Sequence, residues 1–158
     1  PMFGSSLSLA TILVIVLNLL LRIGVKTRAQ LLLTNCDNAS DKMFAFMENQ
    51  GALWGARKEV IVRATSAMNE FVEAARTLGL THGEIRVIAS FDEFNLDVEF
   101  RCRGPLMEFP TKRPSDAEIL EDELAVARLA GFLIKNYADR IRSDCDDGKC
   151  RVQFHFDR

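Results

Sequence analysis

Four cysteines, two histidines and one dense acidic run carry most of the side-chain chemistry that this sequence offers. Cys36, Cys102, Cys145 and Cys150 are scattered, with no CxxC pair, and read as reduced thiols rather than a disulfide or metal framework. Cys145 and Cys150 flank "DDGK", a hairpin-turn signature, and could bridge in an oxidising compartment. His82, in the "LTHGE" turn, and His155, on the polar side of an alternating stretch, read as surface residues rather than a catalytic pair. No Ser-His-Asp arrangement, glycine-rich phosphate loop or Cys/His metal spacing is visible. The run "AEILEDEL" reads as a solvated helix face rather than a cation site. Net charge is −2, so no basic surplus points to nucleic acid, and no such partner is expected.

The elements that must position these groups differ along the 158 residues. Residues 7–21 are apolar apart from Ser8, Thr11 and Asn18, which approaches the ~20 residues of a spanning helix. Cations follow this run (Arg22, Lys26, Arg28) and do not precede it, unlike a signal peptide. That order places the C-terminal side in the cytoplasm. The expected organisation is a transmembrane helix over 1–25, a connector with a short helix over 26–53, and a cytoplasmic α+β domain over 54–158. The short helix starts near Ser40 and stops at Gly51.

In the α+β part, Val60, Ala64, Ala67, Met68, Phe71, Val72, Ala75 and Leu78 form one helical stripe, stopped by Gly79. Residues 85–91 and 96–102 then alternate around a short polar turn, predicting a hairpin with one buried face. A three-proline loop follows. Ser115 with Glu118 predicts a capping box opening a helical region to about Arg142, with Leu120, Leu124, Ala127, Gly131, Ile134, Ala138 and Ile141 inward. Val152, Phe154 and Phe156 alternate inward in the last stretch. The fold class is α+β, helices on one face of a largely antiparallel sheet.

Two resemblances follow from these residues. "LATILVIVLNLLLRIG", with "ENQGALWGAR" after it, resembles the last transmembrane helix and tail of the xanthine/uracil permease group, the nucleobase–cation symporters. It implies a C-terminal permease fragment for nucleobase transport, partnered by the membrane and the remaining helices of the same permease, with a homodimer formed through that permease. "GEIRVIASFDEFNLDVEFRCRG" and "LAGFLIKNYADRIRSDCDDGKCRVQFHF" resemble the GHKL ATPase fold, especially its anti-sigma-factor kinase branch. That likeness spans about residues 56–158.

The second resemblance implies candidate nucleotide-binding residues, in altered form. In that family a Glu acting as base and an Asn holding Mg²⁺ and phosphates lie four apart on the first helix. Asn69 and Glu73 stand there, swapped. Cys102 takes the place of the Asp that accepts the adenine amine, and a thiol is a weak acceptor. Gly104 keeps the following glycine. Arg128-Leu129-Ala130, with Gly131 one place late, replaces the Gly-Leu-Gly that admits phosphate, and Cβ atoms there crowd it. The expectation is a non-hydrolysing regulatory or interaction tail, with no catalytic residue, metal or cofactor. The alternative is a membrane-anchored GHKL-type ATP-binding kinase or interaction domain.

Overall fold

The computed structural model of the chain describes residues 6–22, 26–34, 38–79 and 83–157. His82 and Cys36 lie outside the described residues.

Period-two alternation builds the sheet. In β2 (Ile85–Phe91), Ile85, Val87, Ala89 and Phe91 are buried, and in β3 (Asn95–Arg103) so are Leu96, Val98, Phe100 and Cys102. The Asp92 carboxylate closes their turn by accepting from the backbone N–H groups of Phe94 and Asn95. Val152, Phe154 and Phe156 of β5 (Lys149–Asp157) extend the same apolar face, with Phe154 opposite Val98 and Val152 opposite Phe100. With β1 (Thr27–Leu33) and β4 (Arg140–Asp146) on the edges, five strands run antiparallel in the order β1-β2-β3-β5-β4. β1 was not expected, and β4 was anticipated only through the "DDGK" hairpin turn that joins it to β5. β1 falls in the stretch read as connector, and β4 in the tail of the expected helix.

Helices α2 (Ala39–Trp54), α3 (Lys58–Thr77) and α5 (Glu123–Tyr137) complete the described domain, with the short α4 (Asp116–Glu121) ahead of α5. The predicted stripe of α3 is buried from Val60 to Ala75. Phe71 on it packs against Phe100 at 4.5 Å and Phe154 at 5.9 Å between ring centroids. Each fully buried aromatic of this kind contributes about 1.5–3 kcal/mol of transfer free energy.

Three local expectations are corrected. Gly51 does not stop α2, which runs on to Gly55 at φ 63°. A Cβ on Gly51 would stand 2.7 Å from Ile61 Cγ1, so glycine there lets α2 approach α3. The helix after Ser115 has its capping box, but Asp122 breaks it and caps a second helix through the Leu124 N–H. Leu120 and Leu124 are left exposed as a result. Cys145 and Cys150 were read as reduced, yet they are joined, because the β4–β5 register sets their Cα atoms 4.2 Å apart.

The front of the chain corrects the largest expectation. Helix α1 (Ser6–Arg22) has 17 residues. Among the described residues no helix is long and apolar enough to cross a membrane. The transmembrane element of the expected fold is therefore not seen, and the membrane location and cytoplasmic side assigned from it fall with it.

Candidate functional site

The expected nucleotide site lies where the end of β3, the middle of α3, the loop over 104–115 and α5 meet. Cys102 ends the core-facing row of β3, and burial pushes its thiol pKa up. Around it, Phe71 and Ala75 from α3, Pro105 and Met107 from the loop, and Cys150 and Val152 from β5 close in. The space left is about 10 Å³, room for one water at most, against the 300–1,000 Å³ of typical ligand pockets. Met107, from the loop, is 5% exposed.

Gly104 lies just beyond. Its N–H donates to Gly148 O at 3.1 Å, and its carbonyl lies 2.9 Å from Cys150 Sγ. Gly104 thus ties the loop to the β4–β5 turn. Cys102, Cys150 and Cys145 form one cross-strand row, and Cys102 is the free thiol of the three.

Arg128, Leu129, Ala130 and Gly131 sit inside α5, not at its start. Their N–H groups belong to the helical ladder, so they offer no donors to an anion. The Arg128 guanidinium pairs with Asp122 at 2.9 Å. Gly131 faces the loop so closely that an added Cβ would meet Glu108 O at 2.0 Å. The glycine that resembles a phosphate-contacting residue here receives the protein's own backbone.

Asn69 and Glu73 lie elsewhere. Phe71 and Ala75 point at the Cys102 cavity, and residues two positions away on a helix point about 200° from them. Glu73 is exposed and pairs with Arg76. Asn69 lines a hollow of about 220 Å³ between α2 and α3, with Phe44, Ile61 and Val62. Its Oδ1 is buried without a hydrogen-bond partner. The structure therefore brings Cys102 and Gly104 together, keeps Gly131 under the loop, and leaves Asn69 and Glu73 on other faces.

Glu70 was overlooked. It lies two helical turns after Arg63, whose guanidinium reaches Tyr137 O at the end of α5 and pairs with Asp139 at 2.9 Å. Burial, with the charge of Glu73 adding to it, pushes the Glu70 carboxyl above its ordinary value. Four residues on is Ala74, buried and without a polar group.

A second polar cluster lies on the open face of the sheet. Asp97, only 7% exposed, accepts from Lys26 Nζ at 3.0 Å and lies 2.6 Å from His155 Nδ1. Burial alone would push the Asp97 carboxyl up, but the hydrogen bonds from His155 and Lys26 outweigh it and hold the carboxyl below its ordinary value. The Asp97 bond in turn pushes Lys26 up. His155 Nε2 meets Arg140 and Asp157. The signal was available: Asp97 and His155 both fall on the polar side of alternating strands, and the register sets them opposite each other. Among the described residues no three His, Cys, Asp or Glu side chains group as a metal site.

Comparison with solved structures finds one fold in common. The chain is similar to a crystal structure of the RsbU and RsbW domains of a Mycobacterium tuberculosis protein, with a TM-score of 0.56 at 17% identity. The match covers 83% of this chain and 32% of that one, so the chain spans about a third of its length. No protein-family model and no curated protein matches. The fold is α+β with a five-stranded antiparallel sheet, consistent with a GHKL-like fold. This likeness, with no helix among the described residues long and apolar enough to cross a membrane, overturns the reading as a nucleobase symporter fragment, together with its permease partners.

Proposed function

We propose that the domain is a regulatory protein-interaction module on a GHKL-like frame, and that it does not hydrolyse ATP. The observation that carries this is the 10 Å³ left beside Cys102, where an adenine would need a carboxylate acceptor and a ring-sized slot. Losing one charged acceptor costs ~1.5–3 kcal/mol, a ten- to hundredfold loss of affinity, before the filled slot is counted. The helical Arg128–Gly131 stretch and the loop backbone against Gly131 act in the same direction. The likeness to RsbU and RsbW domains supports a regulatory role exercised through contact with another protein.

The test separates adenine recognition from binding of phosphate alone. The full chain is titrated by calorimetry with ATP and with inorganic triphosphate, each with and without Mg²⁺, and hydrolysis is followed. The expected result is no hydrolysis above background and no preference for ATP over triphosphate. Hydrolysis, or ATP bound tenfold more tightly than triphosphate, overturns the reading.

A further inference from the structure

Helices cover one face of the sheet. On the other, the register sets three arginines side by side across the three central strands: Arg86 of β2 opposite Arg101 of β3, and Arg101 opposite Arg151 of β5. Antiparallel neighbours stand about 4.5–5.5 Å apart, so three cations share a row about 10 Å long. Like charges placed opposite each other destabilise a sheet. Two residues along, Arg103 lies opposite Lys149. All five line one open hollow of about 660 Å³, within the size range of small-ligand sites.

The counter-charge on the protein is incomplete. Glu99 reaches both Arg101 and Arg151. Asp144 and Asp146 on β4 stand opposite Arg151 and Lys149 in the register, and Glu84 lies on the rim, but all three are exposed and none comes within ion-pair distance of the five cations. Arg86, Arg103 and Lys149 are left without an ion-pair partner among the described residues. Strands β2, β3 and β5 each have both edges paired, so a ligand here meets side chains and adds no strand.

We infer that this hollow binds a small anion carrying two or more phosphate groups. Guanidinium forks match phosphate oxygens bidentately. Each phosphate brings about 1.5–2 negative charges where a carboxylate brings one. Two phosphates can therefore balance the three cations left without partners, Arg86 in the row and Arg103 with Lys149 two residues along. The arginine row is on the polar side of the strands, although the hollow shares Cys102 and Cys150 with the small cavity behind it; the proposal rests on the cations and not on the adenine reading.

The probe is inorganic pyrophosphate, titrated into the full chain by calorimetry at low and at physiological salt. Saturable binding that weakens as salt rises is expected. Arg86→Gln and Lys149→Gln, which remove side chains without ion-pair partners, should each lower affinity about tenfold. Arg142→Gln, a cation on the same face outside the hollow, should leave it unchanged. Melting without ligand checks that each variant folds. No saturable binding at millimolar pyrophosphate, or an equal loss in Arg142→Gln, overturns the proposal. So does an Asp/Glu-rich peptide that binds more tightly than pyrophosphate.

Discussion

Replacing Gly131 by alanine sets two effects of opposite sign against each other. Gly131 lies inside α5, where alanine is favoured by about 1 kcal/mol on intrinsic helix propensity. The added Cβ would meet Glu108 O at 2.0 Å and Pro110 Cδ at 3.2 Å, both inside ordinary contact. The first of these atoms is backbone and cannot rotate aside. Overpacking in a fitted site costs typically 1–3 kcal/mol, and a main-chain oxygen at this distance belongs at the upper end. The net expectation is a loss of about 2 kcal/mol, read as a fall of about 4–8 °C in the melting temperature for a chain of this size. Thermal denaturation followed by circular dichroism measures it. Hydrogen exchange of the 105–112 backbone should rise in the variant, since that segment must lift to admit the methyl group. A melting temperature raised by 2–4 °C would mean that propensity acts alone. In that case the loop does not press on α5, and the closed state of the site is wrong.

Two further changes probe the core and the overlooked carboxylate. Phe154, fully buried between Phe71, Phe100 and Phe109, should lose several kcal/mol on change to Asp, enough to unfold a marginal domain; Gln153→Asp on the open face should cost under about 0.5 kcal/mol, and urea denaturation of the pair compares them. Glu70 is held above its ordinary pKa, so its charge opposes folding at neutral pH, and Glu70→Gln should raise stability at pH 7. That gain should vanish as pH falls below the ordinary glutamate value near 4.3, where both states are protonated, so a pH series of melting temperatures tests it.

The parts of the fold that the sequence disclosed are those whose burial repeats at short range. β2, β3 and β5 alternate cleanly, α3 carries its stripe, and Ser115 with Glu118 makes the capping box. The edge strands lack that signal. β4 has a single half-buried residue, Ile141, in an otherwise exposed strand, and β1 ends on three consecutive leucines behind an apolar run. Gly51 looked like a stop because a helix-packing glycine and a capping glycine are the same letter. At the site, Cys102 was legible as the last core-facing residue of an alternating strand. The contact of Glu108 with Gly131 joins segments 23 residues apart in the numbering and leaves no mark on periodicity. Glu70 and Asn69 are adjacent letters, and only the helix's orientation separates their faces.

The path of β1 has a kinetic consequence. Thr27 lies opposite Phe91, 64 residues further on, with α2 and α3 between them. The β2–β3 and β4–β5 hairpins close across short turns, within microseconds for elements of this kind, whereas β1 must wait for a long loop to close against its entropy. Until it arrives, β2 presents an unpaired edge of backbone donors and acceptors beside a row of apolar side chains. Such an edge accepts any strand that comes first, including β1 of a neighbouring chain. The strand that completes the sheet is therefore also the segment whose delay opens the route to domain exchange and aggregation.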